Sequence, residues 1–166
     1  SLQDAIRGLR GLNVVGFNVT VPHKNKVIDY LDGVSEEARL IGAVNTVKNV
    51  GGKLWGYNTD GDGFLMSFKE ETGHSFSGKN VAIIGAGGAA RAIAVKAALE
   101  GADKMVILNR TIDKAKELSD YINDNISDCS SFAGIEHNDA KNAIMDCQII
   151  INTTSVGMYP STDKCP

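Results

Sequence analysis

Apolar and polar residues alternate over 13–21, with Val15, Phe17, Val19 and Val21 on one side and Gly16, Asn18 and Thr20 on the other. A period of two is the mark of a strand. Pro22 should end it, because proline has no N–H to give to a sheet. The spacing then predicts a short helix over 24–31. A second helix should open at Ser35, with Glu36 and Glu37 in its first turn, and run to Leu40 or Ile41. Strand patterns at 43–50 and 53–57 flank Gly51-Gly52 and read as a hairpin. Asn58-Thr59-Asp60-Gly61 reads as a turn. Beyond it Phe64, Leu65 and Phe68 line one side of a helix over 61–71, which Gly73 closes.

From residue 78 the rhythm changes. Asn80-Val81-Ala82-Ile83-Ile84 is a short apolar run, Gly85-Ala86-Gly87-Gly88 a tight turn, and 89–100 an alanine-rich helix closed by Gly101. Strand 105–108 follows. Thr111 is placed to cap a helix reaching Asn123, with Ala115, Leu118 and Ile122 as its apolar stripe. A weaker strand at 131–136 and a clear one at 148–151 complete the series. Strand–helix alternation of this kind argues for a parallel, doubly wound sheet. The fold class is therefore α/β, with an α/β unit of mixed short strands over 1–72 followed by a Rossmann-like sheet over 73–166.

Composition adds limits. The chain has 166 residues, 43% hydrophobic and 22% charged, with a formal charge of −3. That is globular composition, with no basic patch for nucleic acid or an anionic membrane. No apolar run is long enough for a membrane-spanning helix, and the first residues lack the pattern of a secretion signal. Cys129, Cys147 and Cys165 form no C-x-x-C pair, which points to a reducing, cytoplasmic setting.

The Gly85–Ala90 segment fits the dinucleotide pattern G-x-G-x-x-G/A, with Gly85, Gly87 and Ala90 at the marked places. Gly85 permits the turn, Gly87 allows backbone close to a pyrophosphate, and small Ala90 lets helix and strand pack. Ala86, Gly88 and Ala89 supply the rest of the cradle, where free helix N–H groups face phosphate. At the end of the next strand an NAD site usually carries a carboxylate for the ribose hydroxyls. Here stand Asn109, Arg110 and Thr111, with Lys114 one helical turn on. An Arg fork with a nearby Lys suits a 2′-phosphate, so the expected cofactor is NADP.

Two polar clusters precede this unit, Asn18-Val19-Thr20-Val21-Pro22-His23-Lys24 and Asn58-Thr59-Asp60-Gly61, with Gly42-Ala43-Val44-Asn45-Thr46 between them. They offer one cation, one carboxylate and several neutral hydrogen-bonding groups. That suits a small polyhydroxylated molecule, and a Lys–Asp pair can handle the proton of an alcohol or ketone. Asn58-x-Asp60-x-Asp62-Gly63 also matches the opening of a calcium loop, but its twelfth position is Lys69 instead of Glu. No metal is expected.

With these segments in this order, and with Asn152-Thr153-Thr154-Ser155-Val156-Gly157-Met158 following, nearly the whole chain resembles the shikimate dehydrogenase family. The resemblance implies NADPH-dependent, reversible reduction of 3-dehydroshikimate to shikimate in aromatic amino-acid biosynthesis. It implies that Lys24 is the catalytic acid/base with Asp60 as partner, and that Thr20, Asn45 and Asp60 contact substrate hydroxyls. Asn18 would support the pocket, and Thr153, Ser155 and Met158 would lie near the nicotinamide. Residues 1–72 would be the later part of the substrate-binding domain plus a connecting helix. Residues 73–166 would be an NADP-binding domain short of its last strands. The family's serine-containing carboxylate site and closing glutamine are not found in the chain. The 166 residues alone are therefore expected to turn over poorly. His23 stands where the family often has an apolar or aromatic residue, and no role is expected of it. An NAD-using quinate/shikimate dehydrogenase and a non-catalytic nucleotide-binding module are the alternatives. Intact Lys24 and Asp60 speak against the second. Monomer and homodimer are both open.

Overall fold

The computed structural model describes residues 1–136, 138–159 and 162–163; Cys165 lies outside them. The chain divides into two compact units, Ser1–Gly63 and Phe64–Pro166.

The first unit opens on α1 (Leu2–Gly11), where the Ser1 hydroxyl caps the N–H of Asp4. Four strands follow: β1 (Gly16–Asn18), β2 (Gly33–Val34), β3 (Thr46–Val50) and β4 (Lys53–Tyr57). They form one sheet in the order β1-β3-β4-β2, antiparallel except where β2 runs parallel to β4. A 3₁₀ helix (Lys26–Tyr30) and α2 (Glu36–Ile41) lie between the strands, and Ser35 caps α2 through the N–H of Ala38. The core joins Ile6 of α1, Val19, Val27, Ala38, Val44, Val47 and Leu54.

The strand expected over 13–21 pairs only over Gly16–Asn18, and its outer residues Val15 and Val21 are 79% and 77% exposed. β3 begins at Thr46, so few residues of the alternating run have a partner in the sheet. The helix expected over 24–31 is the shorter 3₁₀ segment. Helix α1 and strand β2 were not expected at all.

The second unit holds β5 (Asn80–Ile84), α4 (Gly88–Leu99), β6 (Lys104–Asn109), α5 (Ile112–Asn125), β7 (Ser130–Gly134), α6 (Asn138–Met145) and β8 (Ile149–Asn152). Its sheet is wholly parallel in the order β7-β6-β5-β8. The chain thus winds outward from β5 to β7 and returns to β5's other side with β8. Central strands covered on both faces should be apolar throughout, and Val81, Ala82 and Ile83 are fully buried. Ala82, Ile84, Val106 and Leu108 pack toward α6 with Ala140, Ala143 and Ile144. The alternate residues face the other way by the period of two. Helix α6 was not expected. Thr111 does precede α5, but its side chain makes no capping hydrogen bond.

Helix α3 (Asp60–Thr72) begins in the first unit and lies mostly in the second. Phe68 stacks on fully buried Phe76 at 5.3 Å between centroids, and Phe64 on Phe68 at 6.2 Å. This stack accounts for the division at residue 63, at the opposite end of α3 from the expected 72.

Candidate active site

The first unit gathers three loops around one ion pair. Lys24 follows the turn in which the His23 N–H donates to Thr20 O at 2.9 Å, and the Lys24 carbonyl accepts from Val44 N–H at 2.8 Å. This fixes the backbone of Lys24 against the 42–46 loop. Lys24 Nζ donates to Asp60 Oδ2 at 2.7 Å, with the side chains 26% and 48% exposed. The pair is half-buried and open to solvent on one side.

Asn45 organises the other side of Asp60. It is 9% exposed and its Nδ2 donates to Asp60 Oδ1 at 2.8 Å. Its Oδ1 accepts from the N–H of Thr59 at 3.0 Å and from the hydroxyl of Thr46 at 2.9 Å. Asp60 therefore has one carboxylate oxygen on a cation and the other on a neutral donor. Asn18 Nδ2 donates to Asn45 O and Thr46 Oγ1 at 3.4 and 3.3 Å, from behind the cluster. Thr20 and His23 are exposed. Lys24, Asn45 and Asp60 are thus brought together, and Thr20 stands in the turn that leads to Lys24.

Sequence reasoning gave no role to Asn58, which is 5% exposed. Its Oδ1 accepts from Asp60 N–H at 3.0 Å and its Nδ2 donates to Ala43 O at 3.1 Å. A signal was present. Leu54, Gly56 and Asn58 share the buried parity of β4, and a polar residue at an inward position must find partners. The residues that resemble a calcium loop are the first turn of α3, and the described residues contain no cluster of three or more acidic, His or Cys side chains suited to a metal ion.

In the second unit the β5–α4 junction is a tight glycine turn. Gly85 adopts φ +114°, and a Cβ there would lie 2.4 Å from Thr153 Oγ1. Gly87 precedes α4 without a side-chain cap. Added Cβ atoms at Gly87 and Gly88 would meet nothing within 4 Å. The helix end is open, with backbone N–H groups and dipole free for an anion. Thr153, at the end of β8, donates its hydroxyl to Ile84 O at 2.6 Å. The turn therefore sits where the strand order reverses, the usual place for a nucleotide on such a sheet.

At the tip of β6, Asn109 Nδ2 donates to Thr111 O at 2.9 Å and shapes the following loop. Arg110 and Lys114 are exposed, and neither forms an ion pair among the described residues. Ser155 and Met158 are exposed in the loop after β8. Arg91 of α4 lies over the ring of Tyr121 at 4.0 Å and braces α4 against α5.

A family model described as the shikimate dehydrogenase substrate binding domain matches residues 1–47. A second, described as shikimate / quinate 5-dehydrogenase, matches 67–160, more than half the chain. The chain belongs to the shikimate/quinate 5-dehydrogenase family. Among relatives in that family, a shikimate dehydrogenase (NADP(+)) of Alkaliphilus metalliredigens is 47% identical over 165 residues, covering 99% of this chain and 57% of that protein. One of Caldanaerobacter subterraneus subsp. tengcongensis is 48% identical, covering 99% of this chain and 58% of that one. The chain thus spans less than two thirds of these curated relatives. The crystal structure of shikimate 5-dehydrogenase from Listeria monocytogenes with shikimate and NAD superposes with a TM-score of 0.92 at 39% identity, over 99% of this chain and 58% of that chain. The shikimate/quinate 5-dehydrogenase fold, with its parallel second sheet, is therefore the fold of this chain.

Proposed function

We propose that the protein interconverts 3-dehydroshikimate and shikimate with NADP(H). The observation that carries this reading is the Lys24–Asp60 pair, held at 2.7 Å with Asn45 on the far carboxylate oxygen. Reduction of a ring ketone requires a proton at the oxygen as the carbonyl carbon is reduced. Lys24 Nζ supplies that proton, and in the reverse direction takes it back. Asp60 keeps the ammonium aimed, and its carboxylate and the Asn45 carboxamide accept and donate to neighbouring ring hydroxyls. Thr20 adds a hydroxyl from the turn before Lys24.

The open turn at Gly85–Ala89 fits a dinucleotide pyrophosphate, and Thr153, Ser155 and Met158 belong to the loop beside it. Bound NADPH supplies the hydride. Arg110 and Lys114 hold the 2′-phosphate, with Asn109 and Thr111 shaping the loop that presents them. The relatives named for NADP(+) support this choice. A second reading, NAD with shikimate or quinate, is favoured by the Listeria protein's crystallisation with NAD. In either reading the first unit carries substrate chemistry and the second the nucleotide.

Steady-state kinetics of the complete native polypeptide, with shikimate or quinate crossed against NADP or NAD, test the proposal. A kcat/KM highest for shikimate with NADP is expected. Preference for NAD establishes the second reading, and no oxidation of either alcohol with either cofactor rejects both.

A further inference from the structure

Two buried asparagines tie the 43–45 loop to the chain that leads into Asp60. Asn45 stands on the 43–45 loop and accepts from Thr59 N–H at 3.0 Å. Asn58 stands on the 58–60 loop and accepts from the next N–H, that of Asp60, at 3.0 Å. Each also returns a donor: Asn45 Nδ2 to Asp60 Oδ1 at 2.8 Å, and Asn58 Nδ2 to Ala43 O at 3.1 Å. The two loops are therefore latched twice, and successive backbone N–H groups leading into α3 are held by carboxamide oxygens. Asn45 bonds the Asp60 carboxylate directly, whereas Asn58 bonds only backbone. Asn58 is 5% exposed and has both its oxygen and its nitrogen engaged within the protein.

We infer that Asn58 is a positioning residue for the Lys24–Asp60 pair: it sets the backbone of Asp60 and its distance from the loop bearing Asn45, and touches no substrate. The inference rests on the reading of that pair as the proton-transfer machinery. The shape of the effect follows from the geometry. Asp60 Oδ2 faces Lys24 and Oδ1 faces Asn45, so a shift of the Asp60 backbone disturbs both contacts together. Displacements of about an ångström in a positioned group can cost on the order of 10²-fold in rate. A residue serving only as a helix cap would lower stability and leave turnover alone.

The test compares wild type, Lys24→Ala, Asn58→Ala and Asn58→Ser in the complete native polypeptide. Three quantities are read: kcat and KM for shikimate oxidation, the thermal midpoint, and the acylation rate of Lys24 by an amine reagent, followed by mass spectrometry. Asn58→Ala is expected to lower kcat roughly 10- to 100-fold with a smaller change in KM, and to speed acylation of Lys24 severalfold as its partner withdraws. Asn58→Ser, whose hydroxyl can still accept from Asp60 N–H, should recover part of the kcat. A lower midpoint with wild-type kcat and wild-type acylation overturns the inference, and if Asn58→Ala does not fold, the serine variant decides alone. An inactive wild type would reject the catalytic reading instead, and the acylation rates then judge the positioning role without it.

Discussion

Lys24 and Asp60 are 36 positions apart in the chain, and their charged atoms meet at 2.7 Å. Neither residue reaches the other by local structure. The turn after Thr20 presents one and the first turn of α3 presents the other, with the 42–46 loop bonded to both sides.

Removing the ammonium tests the chemistry most directly. Lys24→Ala should lower kcat by roughly 10²–10⁴, the usual worth of a positioned acid/base group. The decisive measurement is the separation of kcat from KM for shikimate oxidation. A change confined to KM would leave Lys24 as a binding group and end its proton-transfer role.

The glycine turn offers a contrast between two glycines separated by one residue. Gly85→Ala places a methyl 2.4 Å from Thr153 Oγ1 on backbone at φ +114°, so it should destabilise the fold by about 1–3 kcal/mol. Gly87→Ala meets open space in the protein and should leave stability near wild type while weakening cofactor binding. Thermal unfolding without nucleotide, paired with calorimetric titration of NADPH, checks both. Equal stability losses at the two positions would mean that Thr153 does not constrain Gly85.

The proposed cofactor preference can be tested at Arg110. Charged hydrogen bonds to a phosphate are worth about 1.5–3 kcal/mol each, so Arg110→Asp should weaken NADPH binding strongly and NADH binding little. Dissociation constants for the two measure it. Equal losses would place the 2′-phosphate elsewhere.

Acid should unpick the first unit at Asp32. Its carboxylate accepts the N–H of Leu54 at 2.7 Å and pairs with Arg10 at 2.8 Å. The Leu54 bond, reinforced by Arg10 against partial desolvation, holds the carboxyl below its ordinary range. A depressed folded value means that the ionised form favours the folded state. That stability is present above the unfolded value, near about 4, and is lost as pH falls through the folded one. Urea unfolding should therefore show wild type above Asp32→Asn at neutral pH, with the gap closing below pH ~4. A gap independent of pH would assign the effect to packing.

The second unit was largely legible because its physics is local and repetitive. Buried parallel strands write themselves as apolar runs, as in Val81–Ile84, and the glycine turn follows at once. The first unit hid more. Helix α1 carries Leu2, Ile6 and Leu9 on one side, but Gly8 and Gly11 mask a helix that owes its place to the burial of Ile6 and to the Arg10–Asp32 pair. Strand β2 has two residues and exists only through pairing with β4. At the site, the charged pair was legible from chemistry. The Asn58–Ala43 contact was not, since it joins residues 15 apart through a loop conformation that no periodicity announces.

The contact between Thr153 and the Ile84–Gly85 junction joins residues 69 positions apart. On the ribosome, the glycine turn emerges long before the strand that braces it. Until β8 is synthesised and docked, Gly85 lacks the side chain that closes over it, and the sheet lacks the reversal of order at which the turn sits. If the turn binds nucleotide as proposed, that affinity is a late property of the growing chain. A nascent polypeptide stopped before β8 would carry every residue of the glycine signature and still lack the surface that the signature describes.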